Sequence, residues 1–436
     1  MINRGFHDLL LNLAHGKHRS RSMIRDYQSR QLLRLIHHAY NRVPFYRKLF
    51  DQNGLKPSEI QGLDDLHRIP ITNKRQLKAV PERDLLAENL DPDGLIQYST
   101  SGATGEPLTV HNSSIEEWIH ALFRLRAYRS FGFRIPERMA RLRDPGLGCR
   151  SLIWKLIQAT GLYRIHELRT FPADEVVANL RRVRPDSLAG YPGGVYYVAK
   201  MLTEDDRKVI KPRWVAVGGA DVLPIMRKEI ERGFGTRLYE TYACRETAMI
   251  AWECRQTRSL HVCDDHLILE VMKDGRPATS GETGEVVVTV LHSFAQPFIR
   301  YRIHDSVTKG EDRCSCGAPF STLQNVEGRT NDRIMFRDGP SRPPGPIFGF
   351  IEDDIDWIRQ YQLIQERFDL VILKLVLLDQ PIQEELEALE RVSRQFLGAQ
   401  VDFRIEYVDE LMPEPGKKFR PSLCKILDSE DAMPPT

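Results

Sequence analysis

The stretch Trp214-Val215-Ala216-Val217-Gly218-Gly219 is an apolar run that ends in two glycines. It predicts a buried strand followed by a turn. Pro224 to Arg232 then predicts a helix that ends at Gly233 and Gly235. Arg237 to Thr241 predicts the next strand. This strand–helix–strand order is typical of a parallel sheet covered by helices, so the sequence indicates an α/β fold.

The sequence on either side of this stretch divides the chain into three parts. Residues 1–90 predict helices and form the N-terminal helical part of a large domain. Residues 91–330 predict the α/β core of that domain with parallel sheets, including a β-rich region after Leu267. Prolines follow Gly328 to Asp332, and residues 331–436 then predict a small C-terminal α+β domain. Its strand is expected at Val371 to Leu378 and its helix at Gln383 to Phe396.

Composition excludes several classes of protein. The 436 residues carry 62 Lys and Arg against 60 Asp and Glu, so the formal net charge is +2 and gives no general reason to bind nucleic acid. The seven cysteines are too few for a disulfide scaffold, and an odd number of them cannot pair completely. No apolar run is long enough to span a membrane, and no secretory signal is present at the N-terminus. We therefore expect a cytoplasmic protein whose thiols are reduced.

A short loop after a predicted strand is rich in glycine and hydroxyl side chains. It comprises Thr100, Ser101, Gly102, Thr104 and Gly105, preceded by Tyr98. Glycine lets a backbone approach a ligand closely, and consecutive amides with hydroxyls can surround an anion. The loop therefore suits a polyphosphate, although a loop of this composition can equally be a simple turn.

Two carboxylates follow predicted strands. Glu246 comes directly after the strand that ends near Tyr242, where it could hold Mg²⁺ beside a triphosphate. Asp305 is expected to follow an apolar strand, where it could accept both hydroxyls of a ribose. The alternative is that Glu246 is a solvated surface charge and Asp305 a turn residue.

Two cations lie toward the C-terminus. Arg329, in Glu327-Gly-Arg-Thr-Asn-Asp332, could reach a phosphate or a ribose, or could instead form an ion pair between domains. Lys418 lies in Gly416-Lys-Lys-Phe-Arg420, which the surrounding prolines place in a loop. A lone lysine in a loop is commonly just solvated.

Four residues form a separate candidate metal site: Cys254, His261, Cys314 and Cys316. Thiolate and imidazole ligands favour tetrahedral Zn²⁺ in a reducing compartment. The irregular spacing leaves Cys263, Asp264 and His266 as competing ligands. It also leaves open that the cysteines are unrelated buried thiols.

Taken in order, these motifs resemble the phenylacetate–CoA ligase branch of the adenylate-forming enzymes, in particular its CapK-like members. The resemblance extends over nearly the whole chain. Arg184 to Pro192 is similar to the strand and loop of that branch's acyl pocket, and Gln360 to Gln365 to the start of its small mobile domain.

The resemblance implies a two-step reaction. A carboxylic acid, for which an aryl acid is one candidate, attacks the α-phosphate of ATP to give an acyl-adenylate, and CoA then takes the acyl group. By resemblance, the loop from Thr100 to Gly105 holds pyrophosphate, Glu246 binds Mg²⁺ and Asp305 binds the ribose. The remaining assignments place Gly218, Gly219 and Tyr242 at the nucleotide, Arg329 and Lys418 as catalytic cations, and a structural Zn²⁺ on the Cys–His set.

The chain departs from the family pattern at several positions. Glu106 stands where a lysine is common, Asp221 where Glu is common, and His304 where Gly usually precedes the ribose-binding Asp. Arg245 replaces a threonine, and Asn331 replaces an aspartate.

Two other functions therefore stay open: adenylylation of an acceptor without CoA, and a zinc-stabilised binding or scaffold protein that lost turnover. The expected partners are ATP, CoA and a small carboxylic acid. The sequence leaves a homodimer open.

Overall fold

The structure, a computed structural model, describes residues 20–99, 108–142, 163–168, 173–220, 222, 224–329, 333–337, 339–342, 344–411 and 421–426. These residues form two compact units. The large unit takes the described residues of 20–99, 108–222 and 230–326, and the small unit takes those of 224–229 and 327–426.

The described α-helices are α1 Arg21–Arg42, α2 Pro44–Gln52, α3 Lys74–Lys78, α4 Ser114–Phe131, α5 Ala173–Val183, α6 Pro192–Met201, α7 Glu204–Val209, α8 Pro224–Phe234, α9 Gly345–Asp354 and α10 Gln383–Leu397. The described strands are β1 Ile96–Ser99, β2 Thr109–Asn112, β3 Glu137–Leu142, β4 Tyr163–Leu168, β5 Ser187–Gly190, β6 Val215–Gly218, β7 Leu238–Cys244, β8 Ala248–Glu253, β9 Leu260–Val262, β10 Leu267–Lys273, β11 Arg276–Pro277, β12 Thr283–Val290, β13 Tyr301–Lys309, β14 Thr322–Arg329, β15 Ile334–Phe336, β16 Gly339–Arg342, β17 Ile358–Arg367, β18 Leu370–Leu377, β19 Asp402–Tyr407 and β20 Ser422–Cys424.

One sheet of 12 strands organises the large unit, in the order β11-β10-β12-β13-β14-β9-β8-β7-β6-β5-β3-β4. The strands from β4 to β7 pair in parallel. On its other side β7 pairs with β8 in the antiparallel sense. The α/β fold and its parallel sheet are thus confirmed, and β7 is the strand at which the pairing changes direction.

The apolar run at β6 forms a buried strand, as predicted, because helices cover it. Trp214, just before β6, has no exposed surface and its ring lies 5.1 Å from that of Tyr128 in α4. Helix α4 begins with a capping box in which Ser113 and Glu116 satisfy each other's backbone amides. It ends at Gly132, whose φ of +119° glycine adopts readily. Burial on both sides explains why the strand is an unbroken apolar run.

The N-terminal part is helical over its described residues, as predicted. The Ser20 side chain caps α1 by accepting a hydrogen bond from the amide of Met23. The buried face of α1, with Leu32 and Leu35, packs in one core with Ile299 from the β-rich region. The helical opening therefore covers the antiparallel part of the sheet. Among the described helices, none combines the length and the apolar character that a membrane crossing needs.

The small unit contains a four-stranded sheet in the order β19-β18-β17-β20. The predicted strand at 371–378 is confirmed as β18, and the predicted helix at 383–396 as α10. Leu389 of α10 is fully buried in a core with Leu373. The small unit is thus α+β, as the sequence indicated.

The prediction that Gly233 ends a helix is wrong, because α8 continues to Phe234. The absence of a side chain at Gly233 lets α8 pack closely against Ala199 of α6. A Cβ at this position would lie 2.8 Å from the Cβ of Ala199 and 2.9 Å from its carbonyl oxygen. Helix α8 ends instead before Gly235, whose φ is +63°.

This packing makes Gly233→Ala destabilising, although alanine is the better helix former by about 1 kcal/mol. The matched control is Gly349→Ala within α9, where a Cβ meets nothing within 4 Å. We expect the unfolding midpoint in urea to fall for the first variant and to rise slightly for the second. Equal stabilisation by both would contradict the packing role of Gly233.

Candidate functional site

The carboxyl end of β6 approaches β7 closely. Gly218 pairs with Thr241 in the parallel register. A Cβ on Gly218 would lie 2.3 Å from the Thr241 Oγ1 atom and 2.4 Å from its carbonyl oxygen, so only glycine fits. Gly219 follows with a φ of +83°. Two backbone positions without side chains therefore lie at the edge of the sheet where α/β folds bind ligands.

The next residue of β7, Tyr242, connects the two halves of the sheet. Its hydroxyl donates a hydrogen bond of 2.7 Å to the Asp305 Oδ2 atom, across 63 positions of sequence. Both residues are buried. A charge-assisted hydrogen bond in a buried setting holds its acceptor firmly, so the Asp305 carboxylate has a defined orientation.

Glu246 lies in the short turn between β7 and β8. The Tyr301 hydroxyl, from the first residue of β13, approaches the Glu246 Oε1 atom at 3.5 Å. The Cys244 thiol, at the end of β7, is near enough to both carboxylates to respond to their charge. Burial raises its pKa well above the usual value, and the negative charges of Glu246 and Asp305 raise it further. The structure thus brings Glu246, Asp305 and Tyr242 together in the large unit.

The prediction that Asp305 follows a strand is wrong, because it lies within β13. The segment before β13 makes one backbone hydrogen bond to β12, from the Val290 amide to the Phe298 carbonyl, and a distant side chain supplies two more. The Ile299 amide donates to the Tyr46 hydroxyl, which donates in turn to the Pro297 carbonyl. Only after Arg300, whose φ is +44°, does the chain enter the sheet.

His304, directly before Asp305, has a φ of +66°. This left-handed conformation is favourable for glycine and costs other residues about 1 kcal/mol or more. It is the position at which the family resemblance expects glycine. The chain keeps the backbone bend with a less suitable residue.

Tyr98, at the end of β1, lies in a polar network. Its hydroxyl donates a hydrogen bond of 2.8 Å to Glu117, which also accepts 2.8 Å from the Asn112 side-chain amide. Burial opposes the charge on Glu117, but hydrogen bonds from His120, Asn112 and Tyr98 outweigh it and lower its pKa to about 2. The guanidinium of Arg245 lies 5.2 Å from the centre of the Tyr98 ring.

Several predicted site residues lie outside the part of the chain that the structure describes: Thr100, Ser101, Gly102, Thr104, Gly105, Glu106, Asp221, Asn331 and Lys418. The flanks of the first loop are described. Ser99 of β1 pairs with Thr109 of β2 in the antiparallel sense. The backbone of Arg329 ends β14, whereas its side chain also lies outside the description.

The four predicted metal ligands form a cluster in the large unit. One ligand atom from each of Cys254, His261, Cys314 and Cys316 lies within 4.8 Å of all the others. The backbone amide of Gln256 donates to the Cys254 sulfur at 3.4 Å, and that of Ala318 to the Cys316 sulfur at 3.4 Å. Burial and the positive charge of Arg126 lower the pKa of His261 to about 4, so its imidazole is neutral. Three sulfurs, one imidazole and amides that stabilise thiolates form a donor set that suits Zn²⁺.

The three competing ligands have other partners. Asp264 pairs with Arg21 at 2.5 Å and accepts from the Ser321 amide. Cys263 is buried next to Arg126. His266 lies against the Glu246 turn, where its Nε2 atom donates 2.7 Å to the Thr247 carbonyl. No sequence pattern predicts this last contact, because its acceptor is a backbone atom.

The chain is similar over most of its length to characterised proteins. A phenylacetate–coenzyme A ligase of Thermus thermophilus is 25% identical over 358 residues, which cover 80% of this chain and 79% of the relative. Protein CapK of Staphylococcus aureus is 19% identical over 399 residues, covering 88% and 85%. No protein-family model matches the chain.

Solved structures share the fold. A 2-hydroxyisobutyryl-CoA ligase, crystallised in the postadenylation state with an acyl-AMP, superposes with a TM-score of 0.73. It is 20% identical, and the match covers 89% of this chain and 87% of that one.

The low pKa of Glu117 predicts how stability responds to acid. The folded carboxylate stays charged to about pH 2, whereas the unfolded one titrates near 4.5. The stabilisation is therefore complete above pH 4.5 and lost as the pH falls toward 2. Between pH 7 and pH 4 the unfolding free energy of the wild type should therefore fall by about 1 kcal/mol more than that of Glu117→Gln. The exposed Glu410→Gln serves as the control and should leave the pH profile unchanged; matching profiles for both variants would contradict the network.

Proposed function

The chain is a homologue of the phenylacetate–CoA ligases with the fold of CoA ligases that form acyl-adenylates, and on this premise we propose that it is an AMP-forming acid–CoA ligase. In the first step the carboxylate of the acid attacks the α-phosphate of ATP, and pyrophosphate leaves. In the second step the thiol of CoA attacks the acyl carbonyl, and AMP leaves. The bonds formed are an acyl–phosphate bond and then a thioester.

The observation that carries this proposal is the meeting of Tyr242, Glu246 and Asp305 beside two glycines at one edge of the sheet. A nucleotide needs a flat approach for its base, an acceptor pair for its ribose and an anionic ligand for the metal on its phosphates. Gly218 and Gly219 would leave room for the base. Asp305 would accept from the ribose hydroxyls, and Glu246 would be the anionic ligand of the metal.

Asp305 would bind the ribose. A carboxylate accepts hydrogen bonds from two adjacent hydroxyls, and the Tyr242 hydroxyl at 2.7 Å fixes the plane in which it does so. Because Asp305 is buried, its interaction with the ribose is weakly screened by water.

Glu246 would hold Mg²⁺, which when bound neutralises charge on the phosphates. Its turn begins where β7 ends, and Tyr301 restrains the carboxylate from the side. Tyr301 also starts the strand that carries Asp305. The two carboxylates are therefore fixed relative to each other by the same strands.

Cations would stabilise the charge that develops on the α-phosphate and on the leaving pyrophosphate. We assign the stabilisation of this charge to Lys418 and Arg329. The loop from Thr100 to Gly105 would hold pyrophosphate. Arg245 is half-buried and has no ion-pair partner among the described residues. Its charge can offset that of Glu106 in the loop.

The small unit would act as the mobile domain of the enzyme. A lysine carried on a domain that rotates can serve adenylation and then withdraw, so that CoA reaches the acyl-adenylate. The acid itself would carry an aryl group, since Tyr196 and Tyr197 of α6 place two rings 5.4 Å apart just after β5.

The Cys–His cluster would hold a structural Zn²⁺. Four protein ligands close the coordination sphere, so the ion would stabilise the fold and would not activate water. The ion would join the end of β8 to β9 and to the loop before β14. Free thiols in this number suit the cytoplasm, where ATP and CoA are available.

Exchange of labelled pyrophosphate into ATP tests the first step. With aryl acids, ATP and Mg²⁺ we expect exchange, and Lys418→Ala should lower its rate at least 100-fold because the developing charge loses its cation. The neighbouring Lys417→Ala is the matched control and should change the rate less than 3-fold.

Product analysis by mass spectrometry decides among the functions. A CoA thioester supports the ligase. An adenylylated product that forms equally without CoA would favour transfer to another acceptor. Tight ATP binding with no exchange for any acid tested would favour a scaffold protein and contradict the proposal.

Metal analysis tests the zinc site. We expect one zinc per folded chain, and Cys314→Ser should lose the metal and lower the melting temperature, since binding free energy is folding free energy. Cys263→Ser changes an equally buried thiol outside the cluster and should keep the zinc. A folded wild-type protein without metal would contradict the assignment.

A further inference from the structure

The turn that carries Glu246 is conformationally demanding. It joins β7 to β8 through Arg245, Glu246 and Thr247, and the first residue of β8, Ala248, has a φ of +57°. A left-handed alanine costs about 1–2 kcal/mol, so the surrounding structure must hold the turn in place.

A buried side chain from outside this turn is hydrogen-bonded to its backbone. The His266 Nε2 atom donates a hydrogen bond of 2.7 Å to the Thr247 carbonyl, one residue from Glu246. His266 and Thr247 have no exposed surface. Because the acceptor is a carbonyl oxygen, the proton of the imidazole is on Nε2.

Three rings pack against this imidazole. The Phe123 ring lies 4.4 Å away, His120 meets it edge-on at 5.5 Å, and His292 stacks on it at 5.9 Å with an interplanar angle of 5°. Burial lowers the pKa of His266 well below its ordinary value, helped by the neighbouring His120 and His292. The ring is therefore uncharged at neutral pH.

Packing alone does not account for a histidine at this position. Its other nitrogen, Nδ1, is buried without a hydrogen-bond partner among the described residues. A buried polar atom left in this way costs about 1–3 kcal/mol, which a leucine or phenylalanine would avoid. What the imidazole supplies and an apolar ring cannot is the hydrogen bond to the Glu246 turn.

We propose that His266 is a positioning residue for the nucleotide-bound Mg²⁺: its hydrogen bond to Thr247 holds the strained turn so that the Glu246 carboxylate is preorganised. The inference rests on the proposed function. It predicts that His266 affects the Mg²⁺-dependent binding of nucleotide, in addition to contributing to the stability of the fold. His266 contacts no substrate and is not a catalytic residue.

The test compares three variants of the full chain. His266→Leu removes the hydrogen bond, and His266→Gln places an amide donor near the position of Nε2. His292→Leu removes a second buried imidazole of the same stack that makes no contact with the turn; its Nε2 bonds lie at Tyr27 and the Asp265 carbonyl. Binding of ATP is measured by calorimetry over a range of Mg²⁺ concentrations, and the melting temperature is recorded for each variant.

We expect His266→Leu to raise the Mg²⁺ concentration needed for half-maximal ATP binding about 10-fold, as for other residues that orient a metal ligand. His266→Gln should recover most of this loss. His292→Leu should lower the melting temperature but shift the Mg²⁺ requirement less than 2-fold. An equal shift for the two leucine variants would show a merely structural role and overturn the proposal.

Amide hydrogen exchange of residues 245–250, measured without nucleotide, separates this inference from the proposed function. Faster exchange there in His266→Leu, but not in His292→Leu, supports the hold on the turn even before any ligand is added. Unchanged exchange overturns it. A wild-type chain that binds no ATP at any Mg²⁺ concentration overturns the proposed function, and with it the role in Mg²⁺ binding.

Discussion

The hydrogen bond between Tyr242 and Asp305 is the interaction on which the site depends. Tyr242 is on the last parallel strand, and Asp305 is on β13 in the other half of the sheet. Because β7 pairs in parallel on one side and antiparallel on the other, the glycine edge of β6 and a carboxylate from a distant strand reach the same place. The change of strand direction at β7 thus joins the parallel strands that carry the glycines to the antiparallel strands that carry Asp305.

The surroundings of this bond are built to hold charges that water would otherwise stabilise. Burial raises the pKa of the Cys244 thiol, and the charges of Glu246 and Asp305 raise it further. The Tyr242 hydroxyl bonds to Asp305, and the Tyr301 hydroxyl lies 3.5 Å from Glu246. A cation bound beside them would be attracted by both carboxylates. A divalent cation and a nucleotide are what the proposed ligase would place here, whereas a passive scaffold would need neither.

The Cys–His cluster and His266 belong to one continuous stretch of structure. His261 lies in β9, and five residues later His266 reaches the Glu246 turn. Between them Asp264 and Asp265 are fixed by Arg21 and Arg126. The proposed metal, by ordering β9, would also order the support of the turn, and the Cys–His cluster and the Glu246 turn would then share part of their stability.

The sequence by itself determined the α/β class, because apolar runs such as 215–218 are the signature of strands buried on both faces. It also indicated the type of chemistry, because the motifs taken in order resemble one family, although each motif alone suits several explanations. It failed where a backbone was satisfied by distant side chains: Asp305 was placed after a strand because the bonds from Tyr46 to residues 297–299 leave no local pattern. Only the tertiary structure decided which of the seven competing metal ligands converge, and that His266 supports a turn. Periodicity reports local burial, whereas contacts between residues far apart in sequence arise only when the sheet is assembled.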